Sequence, residues 1–131
     1  MASDSRVYYH VTMQPHHRLP ALYDEVEDFV CEMLTEFTKG TEFNILEVGV
    51  VPTHIHLLIE KAPWADLIKF INDFQTRSSE CIFEKFPELM HDMKTDRFWT
   101  DNGFHYVKHD EASLDTVRRY IRDQKKHHRL E

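Results

Sequence analysis

The segment Thr53-His54-Ile55-His56-Leu57-Leu58-Ile59-Glu60 sets two histidines two residues apart in a run of strand-forming residues. Side chains alternate faces along a strand, so His54 and His56 point one way and Ile55 and Leu57 the other. Two imidazoles on one face can chelate a divalent metal, and the strand behind them supplies rigidity. Hydrogen-bonded structural histidines make the same pattern, so the pair alone decides nothing. Far downstream, Tyr120 and Gln124 stand four residues apart. On a helix they lie about 40° apart around the axis and leave it from one face. A helical tyrosine is ordinarily packing and a helical glutamine is ordinarily solvated, so this pair too is mute by itself.

These positions need a frame. Val7-Tyr8-Tyr9-His10-Val11-Thr12-Met13 is rich in β-branched and aromatic residues and predicts a first strand. Pro20 is expected to open a helix, because Leu22, Val26, Phe29, Val30, Met33 and Phe37 recur at helical spacing. Acidic residues fill its outer face and Gly40 stops it. Phe43 to Val51 predicts a second strand, and the tight link at Pro52 makes it an antiparallel partner of the His54–Glu60 strand. A second helix is expected from Pro63-Trp64 to about Phe86-Pro87, with Leu67, Ile68, Ile71, Phe74, Cys81 and Ile82 as its apolar stripe. Asp101-Asn102-Gly103 predicts a hairpin turn between Arg97–Thr100 and Phe104–Lys108. Ser113 or Asp115 then caps a final helix to about His128, with Leu114, Val117 and Ile121 toward the body. The order β-α-β-β-α-β(β)-α fits an α+β fold: a ferredoxin-like (RRM-like) antiparallel sheet with helices on one face, plus a C-terminal helix.

A chain of 131 residues has the length of one domain, so residues 1–131 are read as a single unit. No apolar run reaches the roughly 20 residues of a membrane span, and no apolar stretch of signal-peptide length follows the first residues. Cys31 and Cys81 each fall in a helical pattern and read as free thiols of a reducing compartment. A cytoplasmic protein without membrane contact is the expectation. The net charge of -7 arises in the first 60 residues, where ten acids oppose Arg6, Arg18 and Lys39. The remainder balances, yet Arg118, Arg119, Arg122, Lys125, Lys126 and Arg129 crowd one segment against Asp123 alone. A polyanion would meet a local basic face on an acidic molecule.

Taken together, Val51-Pro52-Thr53-His54-Ile55-His56-Leu57-Leu58-Ile59, Phe98-Trp99 and Tyr120-Ile121-Arg122-Asp123-Gln124 form a recognisable pattern. In these blocks, their spacing and its length, the chain resembles the single-tyrosine HUH transposases of small bacterial and archaeal insertion sequences. The resemblance covers nearly the whole chain. It implies that His54 and His56 are two ligands of Mg²⁺ or Mn²⁺, that Gln124 is the third through its amide oxygen, and that Tyr120 is the nucleophile. It further implies cleavage and rejoining of single-stranded DNA through a 5′-phosphotyrosine, recognition of hairpins at the element's ends, and a homodimer. No nucleotide cofactor is expected, since the covalent link retains the energy of the broken bond. Thr53 departs from the family's frequent Asp. Arg118, Arg119, Arg122, Lys125 and Lys126 are candidate phosphate contacts near the nucleophile, with Arg77, Lys94 and Arg97 as an extension. Trp99 and Phe104 read as core of the expected hairpin rather than as platforms for bases.

Three rivals frame this reading, one of them a structural role as an acidic oligomeric protein whose histidines are incidental. A histidine-triad nucleotide hydrolase needs a third alternating histidine, and Leu58 stands in that place. The alternative from a different class is a domesticated, non-catalytic hairpin-binding module of ferredoxin-like fold, which has no need of His54, His56, Tyr120 and Gln124 together.

Overall fold

Strand β3 (His54–Lys61) is buried on both faces, and the fold follows from that. A computed structural model describes residues 6–129, without the side chains of 101–103 and 125–129. The other elements are β1 (Val7–Pro15), α1 (Asp24–Thr38), β2 (Phe43–Val51), α2 (Leu67–Lys85), α3 (Pro87–Met93), β4 (Trp99–His109) and α4 (Leu114–Arg129). The strands form one antiparallel sheet in the order β2-β3-β1-β4, the ferredoxin-like arrangement expected from the sequence. No helix among the described residues is long and apolar enough to cross a membrane.

Alternation along β3 divides the molecule into layers. Ile55, Leu57 and Ile59 are wholly buried with Val11 and Met13 of β1, Val30 and Leu34 of α1, and Phe70, Ile71 and Phe74 of α2. Leu58, equally buried, faces the opposite way and meets Val117 and Ile121 of α4. Thus α1 and α2 share one face of the sheet, while α4 takes the other, on which His54 and His56 stand. Each fully buried aliphatic side chain contributes about 1.5–3 kcal/mol. Phe43 and Phe70 stack with ring centroids 4.0 Å apart and fasten the start of β2 to α2.

Local competition moved several boundaries away from the sequence expectation. Helix α1 begins at Asp24 rather than at Pro20. The Leu22 N–H donates to the Pro52 carbonyl at 3.0 Å, which ties that segment to the β2–β3 turn, and Tyr23 is still extended. Helix α2 begins at Leu67, where the Asp66 side chain accepts from the Lys69 N–H at 3.0 Å and caps it. The short helix α3 lies outside the sequence expectation; Pro87 stands at its first position, which suits a ring with no N–H, and Leu89 and Met93 bury its inner face.

The hairpin expected at Asp101-Asn102-Gly103 is not formed. Strand β4 runs through as one element paired to β1. Met13 is opposite Phe104 but Pro15 is opposite Trp99, so the extra β4 residues make a bulge. Pro15 lacks the N–H that an uninterrupted ladder would use. Trp99 belongs to the core, as expected: it is 2% exposed, and its indole N–H donates to the buried Ser78 hydroxyl at 2.8 Å. Phe104 packs at the margin of the same core. Ser78→Ala strips that indole of its acceptor and is expected to cost about 1–3 kcal/mol in chemical denaturation. An unchanged midpoint would show that this hydrogen bond contributes nothing to stability.

Candidate active site

On the α4 face of the sheet, the His54 and His56 rings stand 4.8 Å apart, centroid to centroid, with planes at 83°. His56 is 7% exposed and His54 is partly buried. Thr53 Oγ1 lies 3.0 Å from His54 Nδ1. His10 Nε2 lies 2.9 Å from His56 Nδ1, and Thr12 Oγ1 lies 3.3 Å from the same atom. The strand register explains this: Thr12 is directly opposite His56, and His10 is opposite Leu58, one diagonal step away on the same face. With both Nδ1 atoms engaged, coordination of a metal would fall to Nε2 of each ring.

Helix α4 brings the phenol. Val117 and Ile121 are buried against Leu58, whereas Tyr120 between them is 54% exposed. Its ring centroid lies 6.0 Å from those of both His10 and His56, edge-on to each. Tyr120 and His56, far apart in sequence, therefore meet within one chain. Gln124, one turn farther along, is 8% exposed. Arg118 Nη2 donates to the Leu46 carbonyl at 3.3 Å, and Ile121 sits over Gly49, so successive turns of α4 travel along β2 toward Val51 and the His54 end of β3. That course carries Gln124 past Tyr120 in the direction of His54.

Two features hold α4 at this height and rotation. Gly49 is opposite His56, and a Cβ there would collide with the Ile121 carbonyl oxygen, with Ile121 Cγ2 only 3.1 Å away. Only a residue without a side chain lets the helix backbone come so close. Glu47 Oε1 takes ion pairs from Arg118 Nε at 3.5 Å and Arg122 Nη2 at 3.2 Å. These two arginines, expected from the sequence as phosphate contacts, are thus engaged in fastening α4 to β2. Arg119 is exposed next to Tyr120, while the side chains of Lys125 and Lys126 lie outside the described residues. Arg77, Lys94 and Arg97 are exposed on α2 and on the α3–β4 connection, on the α2 side of the sheet. They do not continue the basic surface of α4.

His10 was invisible to spacing arguments, because only the sheet order brings β1 beside β3. Burial lowers the His10 pKa from its ordinary value, and the neighbouring His109 pushes the same way. Its ring stays neutral near neutral pH and can accept a hydrogen bond. Two imidazoles and an amide are uncharged donors of mixed N and O type, so a divalent cation held by them would keep its full positive charge. Among the described residues no group of three or more His, Cys, Asp or Glu could hold a metal. A third donor at this site would come from another residue type, and the buried Gln124 amide is one candidate.

The profile of the family described as "Transposase IS200 like" matches residues 3–124, ending on Gln124 itself. The chain belongs to the IS200-like transposase family. It is 28% identical over 116 residues to the transposase for insertion sequence element IS200 of Salmonella typhimurium, covering 88% of this chain and 75% of the relative. It is 22% identical over 116 residues to the ISDra2 transposase TnpA of Deinococcus radiodurans, covering 88% of this chain and 82% of that one. Its fold is shared with a solved putative transposase of Deinococcus radiodurans, at a TM-score of 0.73 and 21% identity over 89% of each chain. A REP-associated tyrosine transposase bound to a REP hairpin also matches, at a TM-score of 0.67 and 14% identity over 93% of this chain and 68% of that one.

If Gly49 seats α4, Gly49→Ala should speed amide hydrogen exchange throughout α4 and leave the β1 and β3 amides protected. Equal protection of α4 in both proteins would place its anchor elsewhere.

Proposed function

We propose that this IS200-like transposase cuts and rejoins single-stranded DNA with Tyr120 as nucleophile, and that His54, His56 and Gln124 hold Mg²⁺ or Mn²⁺ beside the scissile phosphate. The observation that carries the reading is the approach of the exposed Tyr120 ring to the His56 ring, at 6.0 Å within one chain. A structural tyrosine on an amphipathic helix would turn inward with Val117 and Ile121; this one turns toward imidazoles and solvent.

The chemistry follows from the groups present. A phenol with an ordinary pKa of about 10 keeps its proton at neutral pH and must release it during attack. The Tyr120 oxygen bonds to phosphorus, the P–O3′ bond breaks, and the departing 3′ oxygen takes up a proton as a free hydroxyl. The 5′ phosphate stays on Tyr120. Attack by another 3′-hydroxyl on that phosphorus restores a phosphodiester and frees the phenol, so no nucleotide cofactor is consumed. A bound cation supplies polarisation of the phosphate and offsets charge in the transition state. The packing of α4 on β2 and β3 holds the phenol at a set place relative to the imidazoles, which is the positioning an in-line displacement needs.

Hairpin DNA is the partner we assign, supported by the related fold solved with a REP hairpin. Arg119, with Lys125 and Lys126 from the same helix, would contact phosphates. Arg118 and Arg122 would join only by leaving Glu47, and Arg77, Lys94 and Arg97 only if the DNA wraps the sheet edge. A homodimer working in the cytoplasm completes the proposal.

The direct test incubates the protein with hairpin-containing single-stranded DNA and Mg²⁺ or Mn²⁺, and looks for a denaturant-resistant protein–DNA adduct. Tyr120→Phe should abolish the adduct with hairpin affinity nearly intact, and His56→Ala should lower cleavage at limiting metal. Hairpin binding with no adduct under any metal would sink the catalytic reading in favour of the non-catalytic module. Arg119→Ala should weaken binding alike for all sequences and lower the salt dependence by about one phosphate contact. An unaltered salt slope would remove Arg119 from the interface.

A further inference from the structure

We infer that His10 is a positioning residue of this site: its Nε2 accepts the Nδ1 proton of His56 and so sets the tautomer and ring orientation with which His56 coordinates the metal. The inference rests on the proposed metal role of His56.

Geometry and valence carry the argument. A neutral imidazole that coordinates through Nε2 must carry its proton on Nδ1, and that proton needs an acceptor. His56 is 7% exposed, so water is a poor candidate. His10 Nε2 lies 2.9 Å from Nδ1 and Thr12 Oγ1 lies 3.3 Å from it. The His10 contact is the shorter one, and it is made by a residue of the central strand β1. Both residues stand on rigid, paired strands, with His10 opposite Leu58 and Thr12 opposite His56. His54 repeats the pattern through Thr53, whose hydroxyl lies 3.0 Å from its Nδ1. His10 also lies edge-on to Tyr120 at 6.0 Å, so one ring borders the proposed ligand and the proposed nucleophile together. Two neighbouring histidines sharing a proton in this way would fix which nitrogen of His56 faces the cation.

The test is Mn²⁺ binding to the full chain without DNA, read from the loss of the free-ion electron paramagnetic resonance signal. His10→Phe keeps an aromatic ring but offers no acceptor, and should weaken Mn²⁺ binding by about 10- to 100-fold. His10→Gln, whose amide reaches as far as Nε2, should restore most of it. His10→Asn is too short to reach and should behave like His10→Phe, which keeps the test alive if the phenylalanine variant does not fold. In adduct formation, the Mn²⁺ requirement should rise while the rate at saturating Mn²⁺ recovers. Native Mn²⁺ affinity in folded His10→Phe or His10→Asn overturns the inference. If His56→Ala loses Mn²⁺ while those variants keep it, the metal reading stands and only the role of His10 falls. If the unaltered protein binds no Mn²⁺, both fall.

Discussion

The contact on which the rest depends is the apolar seat of α4 on the second face of the sheet. Leu58, Val117 and Ile121 form a cluster separate from the main core. An isolated helix of this length is marginal in water, so α4 draws its order from this contact. Burial of Val117 and Ile121 contributes about 1.5–3 kcal/mol each. The ion pairs of Glu47 with Arg118 and Arg122 involve arginine side chains 41% and 60% exposed, and pairs of that kind are worth about 0–1 kcal/mol. Apolar burial therefore holds the helix down, and the close approach at Gly49 and the ion pairs together set its rotation. Rotation matters because it decides whether Tyr120 faces the imidazoles.

Placing α4 opposite α1 also reconciles an acidic chain with a polyanionic partner. The acids of α1, among them Asp24, Glu25, Asp28 and Glu32, lie on the far side of the sheet from α4. Two packed layers of about 10 Å separate the faces, against a Debye length of about 8 Å at physiological ionic strength. A strand lying along α4 would stand farther than that length from those carboxylates, whose field through solvent is screened. The net value of -7 thus says little about the surface beside Tyr120.

Much of the fold was legible in the sequence because alternation and helical periodicity are local. His54 and His56 sharing a face, Leu58 facing with them, and Val117 and Ile121 turning inward all follow from periods of 2.0 and 3.6. The errors share a different cause. Asp101-Asn102-Gly103 has turn chemistry, but whether such residues make a hairpin or a bulge depends on the partner strand, and here Pro15 interrupts the ladder. The start of α1 moved because Leu22 found its hydrogen-bond partner in Pro52, thirty residues away. Arg118 and Arg122 read as phosphate contacts in the sequence because their partner Glu47 stands on another strand.

By itself, the sequence determined the chemistry on offer: two imidazoles in phase on a strand, and a phenol and an amide in phase on a helix. It determined the element types as well, since backbone period and residue propensity act within a few residues. Only the tertiary structure decided which groups meet. Tyr120 reaches His56 because Gly49 admits the backbone of α4, and His10 reaches His56 because β1 pairs between β3 and β4. Both are contacts between segments far apart in the chain, and no local pattern encodes the distance between them.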